Sequence, residues 1–252
     1  MSYIEFQDIN KYFGQNHVLK GIDLSIEKGE LLTLLGSSGC GKSTTAGLLM
    51  RFFDPSSGRI LMEGRDLLSL TPEELRRKII MVPQTVSLFS GTLRENLCLA
   101  APEASEQALW EALDDVWLKD WVLEQPLGLD TDVGDAGQKL SGGQRQKIGI
   151  ARALLCQAEY IVFDEATSSV DLESEQEIWR CIDSLAQTRT LIIISHRLST
   201  IRGADNIYVL DRGQVAQQGT HSQLMAEPGL YRRLVQEQTL LEQQGEEGLH
   251  HG

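Results

Sequence analysis

The sequence predicts an α/β fold in which helices cover both faces of a mixed β-sheet. Several short apolar runs indicate buried strands, because a central strand is covered on both faces and needs no polar side. Segments of helical composition separate these runs, as the crossover connections between parallel strands require. The apolar runs are Leu31–Leu35, Ile79–Val82, Tyr160–Phe163 and Leu191–Ile194.

The N-terminal segment predicts a small antiparallel β subdomain. Ile4–Asn10 and Val18–Ile26 each alternate apolar with polar residues, which is typical of strands with one solvated face. The buried strand Leu31–Leu35 follows, and a helix is expected from Lys42 to about Phe52.

Residues 87–155 predict a helical subdomain inserted into the sheet, because they are rich in helix formers and contain no strand-like apolar run. Two edge strands are expected at Ile207–Leu210 and Gln214–Gln217, before a helix that a capping box at Thr220 begins. The expected division of this one domain is a core (1–86 and 156–236), the insert (87–155) and a frayed, flexible tail (237–252).

Composition argues against several functional classes. The formal net charge is −13, and Lys and Arg are scattered, which disfavours both nucleic-acid binding and direct binding to anionic lipid. No apolar run reaches the about 18 residues that span a bilayer, and the N-terminus has no signal-like pattern, so we expect a cytoplasmic chain. The four cysteines lie far apart without a CxxC pair, which indicates neither a zinc site nor a disulfide framework.

A glycine-rich turn between a predicted strand and a predicted helix matches the phosphate-loop pattern G-x-x-x-x-G-K-[ST]. Glycines let backbone N–H groups converge on an anion, and the helix N-terminus adds partial positive charge. A chance match in a glycine-rich turn is the alternative, and the flanking strand and helix argue against it. We therefore expect ATP, with Lys42 on its β- and γ-phosphates and Ser43 on Mg²⁺. The loop residues are Gly36, Ser37, Ser38, Gly39, Cys40, Gly41, Lys42, Ser43 and Thr44.

Cys40 lies inside this loop and allows two interpretations. A helix N-terminus favours the thiolate, which would make the residue reactive. A small side chain that merely fills space is the alternative, and we favour it for the native role. In either case we expect alkylation of Cys40 to block nucleotide binding.

Two further polar sites follow apolar strands. Asp164 and Glu165 end the run Tyr160–Phe163, at the strand terminus where open α/β sheets bind ligands. Asp164 suits Mg²⁺, a hard cation that prefers oxygen, and Glu165 suits a general base for the attacking water. A simple polar cap of the strand is the less favoured alternative. His196 ends the next apolar strand; such a histidine is often structural, but here it can meet the γ-phosphate.

The turn Leu140–Gln146 opens a helix that continues through Leu155, and by itself it is one more helix N-terminus able to bind an anion. With this turn in place, the chain resembles an ABC-transporter nucleotide-binding domain. The resemblance extends from Phe13 to about Leu234, with every motif in the order typical of the family.

The resemblance implies a role for individual residues. Phe13, or failing it the neighbouring Tyr12, would stack on adenine, and Gln84 would reach Mg²⁺ and sense a membrane partner. His196 would be the switch histidine, and Ser168–Asp171 the D-loop, with Asp171 near the nucleotide. The signature residues would contact the γ-phosphate bound to a second subunit; they are Ser141, Gly142, Gly143 and Gln144.

A finer resemblance is to the exporter branch of the family. It rests on Leu88–Asn96, on Phe163–Ser168, on Ser195–Ser199 and on Thr131–Gly137, the last of which looks like the exporter X-loop. That segment departs from the pattern, with Asp132 and Asp135 where glutamates are usual and Ala136 where an arginine is usual. The N-terminal Lys-Tyr-Phe-Gly and the phosphate loop also fit importer subunits.

The resemblance implies an ATPase that powers transport, in the direction of export, by head-to-tail dimerisation around two ATP molecules. Its partners would be a second ABC ATPase subunit, identical or different, and a transmembrane part that is encoded separately or was excised. The protein would thus act in the cytoplasm at the inner face of the cell membrane.

Two other functional classes are less favoured. A soluble ABC ATPase of DNA repair, translation or cofactor assembly usually carries coiled-coil or zinc insertions or a second cassette, and this acidic chain has none of these. A nucleotide-binding module without turnover is disfavoured by the intact Glu165 and His196.

Overall fold

The computed structural model describes residues 3–167, 170–195 and 202–249. Their contacts divide the chain into two compact units. The first comprises residues 1–71 and 190–252, and the second comprises residues 72–189.

The described residues form ten strands and nine α-helices. The strands are β1 (Ile4–Phe13), β2 (Asn16–Ile26), β3 (Leu31–Leu35), β4 (Ser57–Met62), β5 (Arg65–Asp66), β6 (Ile79–Val82), β7 (Tyr160–Asp164), β8 (Thr190–Ile194), β9 (Asn206–Asp211) and β10 (Gln214–Gly219). The α-helices are α1 (Lys42–Leu49), α2 (Pro72–Lys78), α3 (Leu93–Cys98), α4 (Glu106–Asp115), α5 (Lys119–Glu124), α6 (Gly142–Leu155), α7 (Leu172–Ala186), α8 (His221–Ala226) and α9 (Leu230–Leu249).

The first unit contains the antiparallel N-terminal sheet, in the order β2-β1-β4-β5. Ile4 pairs with Ile26 and Phe6 with Leu24, so the apolar side chains of both strands share one buried face. This confirms the antiparallel N-terminal sheet. The sequence did not predict β4 and β5, because β4 opens with three exposed residues and β5 has only two residues.

The same unit contains parallel strands around β3. Strand β3 pairs in parallel with β8 on one side and with β9 on the other, and β10 pairs antiparallel with β9. Every residue of β3 and β8 is buried, as the continuous apolar runs predict. The sequence-based prediction of a mixed sheet is confirmed.

The second unit combines the parallel pair β6 and β7 with helices α2–α7. Helix α6 is its centre, with eight buried residues and packing against α3, α4 and α7. The predicted helical stretch therefore forms one compact unit together with two strands.

Helix α1 ends earlier than predicted, at Leu49 rather than near Phe52. The N–H of Phe52 donates to the carbonyl of Gly47 (2.9 Å) and that of Arg51 to the carbonyl of Leu48 (3.0 Å), with Arg51 at φ 52°. This is a Schellman ending with arginine in the left-handed position that glycine usually takes. The sequence therefore lacks the glycine that usually indicates the end of a helix.

The C-terminal helix also differs from expectation, since α9 runs to Leu249, past Glu237, where a frayed tail was expected. Among the described residues, no helix has both the length and the apolar character that crossing a bilayer requires.

A buried polar cluster anchors the chain between β6 and α3 to helix α6. Asn96 is 1% exposed, and its amide donates to the carbonyls of Phe89 (2.9 Å) and Thr92 (3.0 Å). Its Oδ1 accepts from the N–H of Phe89 (2.9 Å) and from Arg152 of α6 (2.8 Å). Arg152 also donates to the carbonyls of Asn96 and Ser87, both at 2.8 Å. The side chain of Asn96 therefore pairs with backbone groups of Phe89 and Thr92 and with Arg152 of α6.

We predict that Asn96→Ala lowers the free energy of unfolding by about 2 to 3 kcal/mol, because it leaves buried donors and acceptors without a partner. Urea unfolding followed by circular dichroism measures this. Gln107→Ala on the exposed side of α4 is the control and should change stability by less than about 0.5 kcal/mol. Equal stability of the two variants would contradict the role of the cluster.

Candidate functional site

The phosphate loop lies in the first unit, between the buried strand β3 and helix α1. A β-carbon on Gly36 would lie 2.3 Å from the carbonyl oxygen of Leu210, and one on Gly41 would lie 2.5 Å from the side chain of Leu19. Both glycines also have positive φ (153° and 110°). The loop is thus packed against β2 and β9 so closely that only glycine fits at these two positions.

The loop closes around the ammonium group of Lys42, which is 6% exposed. Its Nζ donates to the carbonyls of Gly36 (2.6 Å) and Ser37 (3.1 Å) and lies 3.8 Å from the Sγ of Cys40. Cys40 is itself 3% exposed, which fits the space-filling role that we favour for it. A buried positive charge in such a loop favours an anionic ligand.

The rim of the loop is open to solvent. Ser37, Ser38 and Gly39 are exposed, as is Ser43 in the first turn of α1, whereas Thr44 is half-buried. The loop therefore presents hydroxyl groups and backbone at its surface and keeps its charge beneath them.

The two candidate aromatic residues, Tyr12 and Phe13, are equally exposed but have different neighbours. The ring of Tyr12 stacks on His17 at 3.9 Å between centroids. Phe13 meets Phe53 edge to face at 5.1 Å, and Phe53 packs on Gly47 of α1, where a β-carbon would lie 2.6 Å from the Phe53 ring. Contact through Phe53 therefore ties Phe13, and not Tyr12, to the helix that follows the phosphate loop.

Asp164, Glu165 and Gln84 lie at one end of the parallel pair in the second unit. Val82 pairs with Phe163, so the residues that follow in both strands leave at the same edge. Gln84 is exposed and both carboxylates are half-buried. Glu165 has φ 49°, a left-handed conformation that costs a non-glycine residue energy and is concentrated at functional sites.

The signature turn begins α6 with a complete capping box. The Oγ of Ser141 accepts from the N–H of Gln144 (3.1 Å), and the Oε1 of Gln144 accepts from the N–H of Ser141 (2.8 Å). Arg145 donates to the carbonyls of Leu140 (2.6 Å) and Gly137 (3.3 Å) just before the turn. Ser141 is exposed, so its end of the helix faces solvent.

The signature turn and Asp171 meet through α7. A β-carbon on Gly143 would lie 2.3 Å from the Oγ of Ser174, so α6 and α7 are in close contact there. Asp171 caps the N-terminus of α7, and its Oδ1 accepts from the N–H of Ser174 at 2.9 Å. This hydrogen bond lowers the pKa of the Asp171 carboxyl below its ordinary value.

The segment 131–137, the expected X-loop, pairs with the chain that follows Gln84. The N–H of Val133 donates to the carbonyl of Gly91 (2.9 Å), and Ser90 donates its hydroxyl hydrogen to Asp135 at 2.7 Å. Lys139 forms an ion pair with Asp132 and lowers the pKa of that carboxyl. Both aspartates that depart from the exporter pattern thus have local partners.

Three residues of the sequence-based candidates lie outside the described residues. They are His196 and the D-loop serines, Ser168 and Ser169. Within the described part of the chain, no group of three or more His, Cys, Asp or Glu side chains could hold a metal ion.

Sequence reasoning missed three residues that support these sites: Asn96, Arg145 and Arg152. Arg152 donates to carbonyls that are 56 and 65 positions away, whereas Asn96 and Arg145 donate to carbonyls four to eight positions away. Only the position of Arg145, directly after the signature residues, offered a signal.

Comparison with known proteins agrees with these features. Residues 19–168 match the family model described as "ABC transporter". The chain is 41% identical over 250 residues to "Multidrug resistance protein 1" of Entamoeba histolytica, with 97% of this chain and 19% of that protein covered. It is 44% identical over 233 residues to "ATP-dependent lipid A-core flippase" of Ralstonia nicotianae, with 90% and 39% covered.

A solved structure also matches nearly the whole chain. It is that of a bacterial Atm1-family ABC exporter with ATP bound, with a TM-score of 0.88 and 38% sequence identity. The match covers 93% of this chain and 41% of that one. The chain therefore spans less than half the length of these relatives.

The family model covers more than half of the 252 residues, and the fold agrees with it over nearly the whole length. The chain belongs to the ABC transporter family and is an ATP-binding, ATP-hydrolysing domain of that family.

Proposed function

We propose that the chain is the ATPase domain or subunit of an ABC exporter and powers the passage of a substrate through a transmembrane partner. The agreement of 93% of the chain with an Atm1-family exporter that holds ATP carries this proposal. Relatives named as a multidrug resistance protein and as a lipid A-core flippase support the same direction of transport.

ATP would bind with its phosphates on the loop and its base on Phe13. The buried ammonium of Lys42 supports the first assignment, because phosphate is a stronger partner for a buried cation than a carbonyl oxygen is. The contact of Phe13 with Phe53 supports the second, because it links this ring to α1. The remaining loop residues, from Ser37 to Thr44, would offer backbone N–H groups and hydroxyls.

Mg²⁺ suits the donor set that the chain offers. The hydroxyl of Ser43, the side-chain carbonyl of Gln84 and the carboxylate of Asp164 are oxygen ligands, the type that Mg²⁺ prefers. Few protein ligands are needed, since this ion usually retains waters and binds phosphate oxygens. When bound, it would neutralise charge on the phosphates.

Glu165 would accept the proton of the attacking water as general base, and Lys42 would stabilise the charge that develops on the γ-phosphate. The position of Glu165 directly after the buried parallel strand β7 supports a functional role, since open α/β sheets bind ligands at that edge. His196 and Gln84 would orient the phosphate and the water.

The complete site would form between two copies of the domain, or between this chain and a related subunit. The fully capped turn of Ser141, Gly142, Gly143 and Gln144, in which Ser141 is exposed, would meet the γ-phosphate held by the partner's loop. Asp171, one contact away through Ser174, would face the same interface. The two subunits would therefore be arranged head to tail.

The domain would work at the cytoplasmic face of the cell membrane, held there by the transmembrane partner. A net charge of −13 opposes direct binding to anionic lipid, and it also opposes nucleic acid.

Lys42→Ala should weaken the binding of Mg²⁺-ATP by about 10- to 100-fold, the range for losing hydrogen bonds to a charged group. Isothermal titration calorimetry of the purified chain measures it. Lys139→Ala, which removes an exposed lysine paired with Asp132, is the control and should bind as the wild type does. Unchanged affinity of Lys42→Ala would remove the loop from the site.

Glu165→Gln should bind ATP normally but lose turnover by about 100-fold or more, the usual contribution of a general base. Phosphate release and size-exclusion chromatography with ATP measure turnover and the ATP-dependent dimer that should accumulate. Glu159→Gln, on the exposed residue before β7, should keep wild-type turnover. Wild-type turnover by Glu165→Gln would exclude Glu165 as the base.

Alkylation of Cys40 should abolish ATP binding, and bound ATP should slow the labelling, because the thiol lies under the loop beside Lys42. Peptide mass spectrometry after maleimide treatment separates it from the more accessible Cys98 and Cys156. The variant Cys40→Ala should retain ATP binding after the same treatment. Equal labelling of Cys40 with and without ATP would contradict the prediction.

A further inference from the structure

We propose that Lys11 is a positioning residue for the adenine-binding ring: its ammonium group fixes Phe13 against the segment that follows the phosphate-loop helix. The inference rests on the proposed function, since it takes Phe13 as the residue that stacks on the base. It adds a residue to the adenine side of the site that the loop motif does not contain.

The geometry places one cation between two rings. The Nζ of Lys11 lies 5.0 Å from the centroid of the Phe13 ring and 4.9 Å from that of Phe53, within the range of cation–π attraction. The two rings meet at 5.1 Å with an interplanar angle of 83°. The three groups thus form a nearly equilateral triangle.

A hydrogen bond holds the cation in that place. The Nζ of Lys11 donates to the carbonyl of Asp54 at 2.6 Å, directly after Phe53. Lys11 and Phe13 belong to β1, whereas Phe53 and Asp54 follow α1. Lys11 therefore ties the end of a β-hairpin to the segment that follows the phosphate-loop helix.

This contact of Lys11 affects binding of the base because Phe13 is the last residue of β1 and is 46% exposed. An exposed ring at the end of a strand can rotate, and ordering it on binding costs entropy. Contacts with the ammonium and with Phe53 restrict the ring before a ligand arrives and leave about half of it accessible. Lys11 would accordingly increase affinity for the base without touching the phosphates.

The test compares two ligands by calorimetry on the full chain: Mg²⁺-ATP, which uses both the ring and the loop, and Mg²⁺-tripolyphosphate, which uses the loop alone. Lys11→Met should weaken ATP binding by about two- to fivefold, the range of an exposed cation–π contact, and leave tripolyphosphate binding unchanged. Lys11→Arg, which keeps the cation, should restore most of the affinity for ATP.

A matched control is Lys28→Met. Lys28 makes the same kind of contact with a different ring, at 5.5 Å from the centroid of Tyr3, and the variant loses the same charge. It should bind both ligands as the wild type does. If Lys11→Met lowers the melting temperature more than Lys28→Met does, Lys11→Gln provides a second neutral variant for the same comparison.

The decisive measurement is a double-mutant cycle with Phe13. Phe13→Ala alone should weaken ATP binding by about 5-fold or more, as the loss of one stacked base predicts. Lys11→Met should have no further effect in the Phe13→Ala background, because Lys11 acts through the ring.

The proposal would be overturned, in favour of a direct effect of the Lys11 charge, by either of two results. One is an equal loss of affinity for ATP and for tripolyphosphate in Lys11→Met. The other is an undiminished effect of Lys11→Met in the Phe13→Ala background. Normal ATP binding by Lys11→Met would overturn it as well. Failure of the wild-type chain to bind ATP would instead refute the proposed function, and the two failures are therefore distinguishable.

Discussion

The buried ammonium group of Lys42 is the constraint around which the first unit is organised. A desolvated cation needs partners, and the loop supplies two carbonyl oxygens at 2.6 and 3.1 Å. Such a ring of chain around one side chain requires backbone angles and close approaches that only glycine permits at Gly36 and Gly41. The strand before the loop and the helix after it hold both ends of that ring in place.

In the second unit, side-chain hydrogen bonds hold the irregular segment between β6 and α3 in place. The residues between β6 and α3 form no regular element, yet Asn96 and Arg152 satisfy their backbone groups as a ladder would. The parallel pairing of β6 with β7 brings Gln84 to the same edge as the carboxylates. One helix, α6, thereby supports both the chain after Gln84 and the signature turn.

Much of this could be predicted from sequence, since the informative residues are adjacent along the chain. The loop Gly36–Thr44, the pair Asp164–Glu165 and the turn at Ser141 each carry their signal within a few residues. The strands β4 and β5 and the end of α1 could not be predicted. The apolar alternation of these strands is weak, and an arginine occupies the position where a glycine usually indicates the end of a helix. Lys11 and Asn96 act through partners distant in sequence, so their roles appear only once the chain is folded.

The contact between Gly143 and Ser174 limits which substitutions the chain can accept at these two positions. With a β-carbon at position 143 only 2.5 Å from the β-carbon of Ser174, no side chain fits there unless the helices separate. Any such separation would shift Asp171, which caps α7 one turn away. Substitutions at positions 143 and 174 should therefore be rare and correlated across relatives, even where neither residue touches a nucleotide.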